Sequence, residues 1–117
     1  MFEISHKDHN CILNIIDAIE KIQKYSCLFT NADEFNSNNM SFDATLMNFI
    51  VIGEMTSKIS EDLIHRTDIN IDWFKIKGFR NIIAHNYFGI DAEEVWQIIK
   101  NNLPALKIEL MKLVHNK

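Results

Sequence analysis

Leu46-Met47-Asn48-Phe49-Ile50-Val51-Ile52-Gly53-Glu54-Met55 can be taken for a buried strand or for the middle of a helix, and the fold class follows from the choice. Its centre, Phe49-Ile50-Val51-Ile52, is apolar on every side. Length arbitrates. The apolar pattern continues through Met55, Ile59 and Leu63 with no turn signal, so the spacing predicts one long helix from about Phe42 to His65, with Ser41 as its N-cap. A helix apolar all round at its centre is expected to be buried all round. Gly53 in its interior costs about 1 kcal/mol relative to Ala, which calls for close approach of another backbone, from a neighbouring helix or a second subunit.

Working outward, Ile12, Ile15, Ile16, Ile19 and Ile22 recur at helical spacing in a first helix from about Ser5 to Phe29. Ser5 is its N-cap and Asp8 lies in its first turn, where a negative charge suits the helix dipole. Thr30 to Asn39 is polar and Asn-rich and reads as a connection with room for one helical turn. Beyond His65, Arg66 to Ile71 is a short loop, and Asp72 caps a third helix from Trp73 to about Asn86. Phe88-Gly89-Ile90 breaks it. Asp91, with Glu94 three residues later, restarts the chain as a last helix running to about His115. Pro104 removes one hydrogen bond within it and is expected to kink it without ending it, because Leu106, Leu110 and Leu113 keep the period. The expectation is an all-α, antiparallel four-helix bundle forming one domain over residues 1–117, with a short extra helical turn.

Composition agrees. The 117 residues are the size of one domain, and 47% hydrophobic content suits a packed core. Three Gly and one Pro are too few for the many tight turns of sandwiches, barrels and Rossmann-type folds. A net charge of −4 argues against coating nucleic acid by bulk charge and leaves room for a local basic patch. The amino terminus lacks the apolar core of a secretory signal, and no apolar stretch approaches the ~20 residues that span a bilayer, so a soluble, cytoplasmic protein is expected. Cys11 and Cys27 on one continuous helix stand ~24 Å apart and cannot bond to each other.

Several chemistries leave no trace: there is no phosphate-cradling glycine loop, no paired CxxC and no HExxH. His6 and His9 share a helix face with no further ligand evident, so no metal site and no cofactor are expected. Glu61-Asp62 and Glu93-Glu94 read as solvated helix-start charges.

One segment stands apart, Lys75-Ile76-Lys77-Gly78-Phe79-Arg80-Asn81-Ile82-Ile83-Ala84-His85-Asn86-Tyr87. Ile76, Phe79 and Ile83 point to the core at 100° per residue. The opposite side carries two stripes, Lys77-Asn81-His85 and Arg80-Ala84-Tyr87. Arg80 and His85 lie roughly 140° apart, so they flank a polar face, and Arg80 is long enough to bend back across small Ala84. These are parts for cleaving RNA without a metal. An imidazole can take the 2′-hydroxyl proton or give one to the leaving 5′-oxygen. A guanidinium can hold two phosphate oxygens and offset developing charge. His85 lies in the last turn, where the dipole favours its protonated form. Lys75, Lys77 and Arg80 make the surroundings locally basic. The same spacing also describes an exposed helix whose Arg and His are only surface groups.

Arg80-x4-His85-x-Tyr87 resembles the R-x4-H-x-Y motif of the HEPN superfamily, specifically its HepT-like toxin group. Ile52-Gly53-Glu54, Trp73, Gly78-Phe79-Arg80-Asn81, Tyr87-Phe88-Gly89-Ile90-Asp91 with Val95-Trp96, and Leu103-Pro104 are similar to that group as well, over about Ile15 to Val114. Phe79 stands for a common Met and Asn86 for a common Gly; Asn tolerates the left-handed conformation at a helix end. The resemblance implies a helical bundle that dimerises, with motifs of two subunits facing across a cleft. It implies a metal-independent endoribonuclease toxin acting on RNA, with a minimal nucleotidyltransferase antitoxin as partner and higher assembly with it left open. By position, Arg80 and His85 would be catalytic, Asn81 the polar residue after the arginine, and Tyr87 the site of AMP transfer; Lys77, from the locally basic face, is added as a supporting cation. Glu54 matches a family position of no assigned role. Relatives without demonstrated nuclease activity keep two alternatives open, a non-catalytic nucleotide- or partner-binding subunit of a nucleotidyltransferase complex and a plain helical interaction module.

Overall fold

Ser5 opens the first helix by accepting a hydrogen bond from the Asp8 amide at 3.1 Å, as a helix N-cap does. The computed structural model describes the backbone of residues 4–85 and 91–115, with side chains at 4–81 and 91–115. The helix end expected at Asn86, the break at Phe88 to Ile90, and the side chains of Ile83, Ala84, His85 and Tyr87 lie outside the described residues.

Seven helices and no strand are found among the described residues: α1 His6–Ser26, α2 Ala32–Ser37, α3 Asn39–Ser57, α4 Glu61–Ile64, α5 Trp73–His85, α6 Ala92–Asn101 and α7 Leu103–His115. The all-α bundle is therefore as expected. Helix α1 is amphipathic. Its five periodic isoleucines are buried, and it packs mainly on α3 and also on α7, to which Lys107 and Glu20 add an ion pair at 3.1 Å. Helix α3 packs in turn on α5. At one end Phe35 of α2 is fully buried against the rings of Phe29, Phe42 and Trp96. Cys11 is buried, Cys27 is exposed, and both thiols are free.

Three expectations are corrected. Helix α3 starts earlier than Ser41, because Asn38 is the N-cap and its carboxamide oxygen accepts from the Ser41 amide at 3.0 Å. The helix does not continue to His65: it stops at Ser57, and Ser60 caps the separate turn α4. The Ser60 hydroxyl accepts from the Leu63 amide at 3.3 Å, and from 52 residues away the buried carboxylate of Asp8 accepts from the Ser60 amide at 2.9 Å and its hydroxyl at 2.5 Å. That clamp joins the start of α1 to the end of α3, so the two helices run antiparallel. Ile59 and Leu63 stay buried, which keeps the apolar spacing without one continuous helix. Finally, Pro104 does not kink a single last helix. The chain turns at Asn102, and Pro104 falls in the first turn of α7, where no amide donor is needed.

A fourth difference concerns the apolar centre of α3. Phe49 and Ile52 are buried, but Ile50 and Val51 are half-buried and Met47 is 60% exposed. One side of this helix lies in the core; the other carries exposed Met40 and Met47 and half-buried Val51 beside exposed Asp43 and half-exposed Glu54.

Candidate active site

The α5 helix is fixed at its start by Asp72, whose carboxylate accepts from the Lys75 amide at 3.0 Å. Trp73, Ile76 and Phe79 bury one face. The Phe79 ring meets Phe49 of α3 edge-on, with centroids 5.7 Å apart and planes at 89°. Such a contact sets the crossing of α5 over α3, and the next residue, Arg80, is delivered to the α3 surface.

Gly53 is what lets it lie there. A Cβ built on Gly53 would stand 2.6 Å from Arg80 Cβ, closer than real Cβ atoms come. The close approach expected from a mid-helix glycine is thus made by the neighbouring helix α5. Beyond Gly53, Arg80 Nη1 donates to Glu54 Oε1, forming an ion pair. Both side chains are 45% exposed, so the guanidinium is held from one side while remaining open to a phosphate from solvent. Arg80 is accordingly drawn across to α3 and does not fold back along its own helix.

Lys77 and Asn81 are exposed on α5, and Lys75 is exposed nearer its start. His85 occupies the last helical position of α5, five residues beyond Arg80, and Tyr87 follows outside the described residues. The structure therefore brings Arg80, Glu54, Lys77 and Asn81 to one region. The pairing of Glu54 with Arg80 is the feature that sequence reasoning missed; the sequence marked Glu54 as a supporting residue beside the helix-interior Gly53, at a position matching the family, without showing its partner. On α1, His6 is exposed and His9 half-buried, and no group of three His, Cys, Asp or Glu gathers among the described residues. Among those residues, too, no helix is long and apolar enough to cross a membrane.

The profile of the family described as Ribonuclease HepT-like matches residues 15–113. The chain belongs to the HepT-like ribonuclease family. This HepT-like chain is 30% identical, over 92% of its length, to a Methanocaldococcus jannaschii protein named "Gamma-glutamylcyclotransferase and putative RNase", and it spans only 48% of that protein. It is 30% identical, over 93% of its length, to the "Probable ribonuclease HepT" of Thermococcus cleftensis, covering 96% of that relative. A second Methanocaldococcus jannaschii protein, named as a "Putative RNase", is 36% identical over 67% of the HepT-like chain and 71% of its own length. No solved structure matches the chain.

Proposed function

We propose that this chain is the toxin of a toxin–antitoxin pair, a metal-independent endoribonuclease that needs no cofactor. The observation that carries the reading is the placement of Arg80. It is held half-exposed by Glu54 at the α3–α5 crossing, five residues before a histidine at the end of α5, in a chain of the HepT-like ribonuclease family.

In this reading the ribose 2′-oxygen attacks the adjacent phosphorus while the bond from phosphorus to the 5′-oxygen breaks. His85 takes the 2′-hydroxyl proton, and a second imidazole supplies the proton that leaves with the 5′-oxygen. A homodimer with two motifs across one cleft provides both. The products are a 2′,3′-cyclic phosphate and a 5′-hydroxyl. Arg80 offsets the charge that builds on the phosphoryl oxygens, and Lys77 and Asn81 line the approach. The dimer is supported by the apolar outer side of α3, where Met40, Ala44, Met47 and Val51 recur at alternating spacings of four and three residues. Tyr87 is the regulatory site: a minimal nucleotidyltransferase antitoxin transfers AMP to its hydroxyl, placing a competing phosphate near Arg80. Residues 1–117 act as one domain, in the cytoplasm.

The test is expression in a bacterial host. Wild type alone arrests growth, and His85→Ala does not. Co-expression with the partner nucleotidyltransferase restores growth and adds AMP to the mass of the wild type but not of Tyr87→Phe. An accumulating wild type that leaves growth untouched, yet binds the nucleotidyltransferase, contradicts the toxin and favours the non-catalytic subunit.

A further inference from the structure

Phe74 is 87% exposed, more than any other large apolar side chain among the described residues. It sits in the first turn of α5, between buried Trp73 and exposed Lys75. At 100° per residue, positions 74, 78, 81 and 85 fall within about 60° of one another, so one stripe of α5 runs from Phe74 over Gly78 and Asn81 to the position of His85. Along the axis this stripe is roughly 16 Å long, a span of a few nucleotides of unstacked strand. Its middle is low: a Cβ added to Gly78 would meet nothing within 4 Å. Its sides are cationic, with exposed Lys75 and Lys77 flanking the ring in a chain of net charge −4.

An isolated aromatic ring among cations and amides suits a nucleobase better than a protein. A base offers a π-face to the ring and its phosphates to the lysines. A protein partner needs contiguous apolar area at the centre of its interface, which this stripe lacks and the outer side of α3 supplies.

We infer that Phe74 is a stacking platform for one unpaired base of the RNA, with the strand running along α5 from Phe74 over Gly78 toward the cut at His85. The inference rests on the ribonuclease reading and narrows its substrate to RNA that is single-stranded a few nucleotides from the scissile bond.

Fluorescence anisotropy with 2′-O-methyl oligoribonucleotides tests it, because a capped 2′-oxygen cannot attack and binding is read without cleavage. The full chain is titrated with oligomers of two to eight nucleotides, with the longest carrying one abasic position in turn, and with a duplex of the same length. Phe74→Ala weakens the longer single strands about 5- to 100-fold and leaves the dinucleotide and the duplex unchanged. Phe74→Trp retains wild-type affinity. One abasic position weakens wild type by the same factor and has no added effect in Phe74→Ala. Equal affinity of wild type and Phe74→Ala for every oligomer overturns the platform and leaves the ribonuclease reading standing. A change in sedimentation of Phe74→Ala with unchanged RNA affinity assigns the ring to a protein interface and also overturns it. Failure of the wild type to bind any RNA overturns both.

Discussion

Arg80 lies on Gly53 so closely that a Cβ on the glycine would stand 2.6 Å from the arginine's own Cβ, and Glu54, the next residue of α3, accepts a hydrogen bond from the same side chain. Two consecutive residues thus do different jobs for one arginine. Gly53 sets how near the helix bearing it can come, and Glu54 sets where its guanidinium points.

Replacing Gly53 tests the first job. In an isolated helix Gly53→Ala would stabilise by about 1 kcal/mol. Here the added methyl meets the α5 backbone side of Arg80, and overpacking of this kind costs about 1–3 kcal/mol. The variant is expected to unfold at lower urea concentration than wild type and to cleave RNA more slowly. A higher midpoint would show that the helices do not meet at Gly53.

Glu54→Ala tests the second. Half-exposed ion pairs contribute about 0–1 kcal/mol, so stability is expected to change little. Without its anchor the guanidinium samples many rotamers, and orientation loss of this sort costs on the order of ten- to a hundredfold in kcat. KM for RNA is expected to stay level or fall, since a carboxylate near the phosphate is gone. Glu54→Gln, which keeps the acceptor oxygen, recovers part of kcat. A rise in KM with kcat intact would instead make Glu54 a binding residue.

Asp8 predicts the opposite pattern. Asp8 is 2% exposed, and its carboxylate accepts from both the amide and the hydroxyl of Ser60. Asp8→Ala leaves a Ser60 amide without its partner at the start of α4, a loss of about 1–3 kcal/mol. Chemical denaturation is expected to record that loss, while RNA cleavage well below the melting temperature stays at the wild-type rate. Unchanged stability would contradict the clamp.

The apolar outer side of α3 predicts self-association. Met47 is 60% and Met40 84% exposed on a helix whose other side is core. Met47→Asp places a charge at the middle of that surface, at a side chain that is mostly exposed within the subunit. Sedimentation equilibrium at micromolar concentration is expected to give a dimer for wild type and a helical monomer for the variant. A wild-type monomer removes the dimer.

Local sequence carried most of the fold. The spacing of Ile12, Ile15, Ile16, Ile19 and Ile22, and the caps Ser5, Asp72 and Asp91, depend on neighbours within one turn, and each is found in the structure. What failed to show depends on distant partners. The break between Ser57 and Glu61 is held by Asp8 from another helix; the apolar periodicity over residues 42–65 does not record it, although the Ser60 cap and the helix-start charges of Glu61-Asp62 do. The apolar run Phe49 to Ile52 signalled burial but could not say whether one subunit or two provides it. At the site, the spacing within α5 placed Lys77, Arg80 and Asn81 on accessible faces, whereas the Glu54–Arg80 pair spans 26 residues and needed the helix crossing to be seen. Phe74 escaped notice because a lone aromatic in an amphipathic helix reads as core until its exposure is known.

Arg80 and His85 are proposed to cleave RNA by 2′-hydroxyl attack without a metal. The most direct measurement is end-group analysis of single-stranded RNA incubated with the purified chain in excess EDTA. The expected products carry 2′,3′-cyclic phosphate and 5′-hydroxyl ends. The rate is expected to fall about 10²- to 10⁴-fold in His85→Ala and at least about 10²-fold in Arg80→Ala, with both variants folded. Cleavage that stops in EDTA and returns with a divalent cation, or that proceeds at the wild-type rate in His85→Ala, would contradict it.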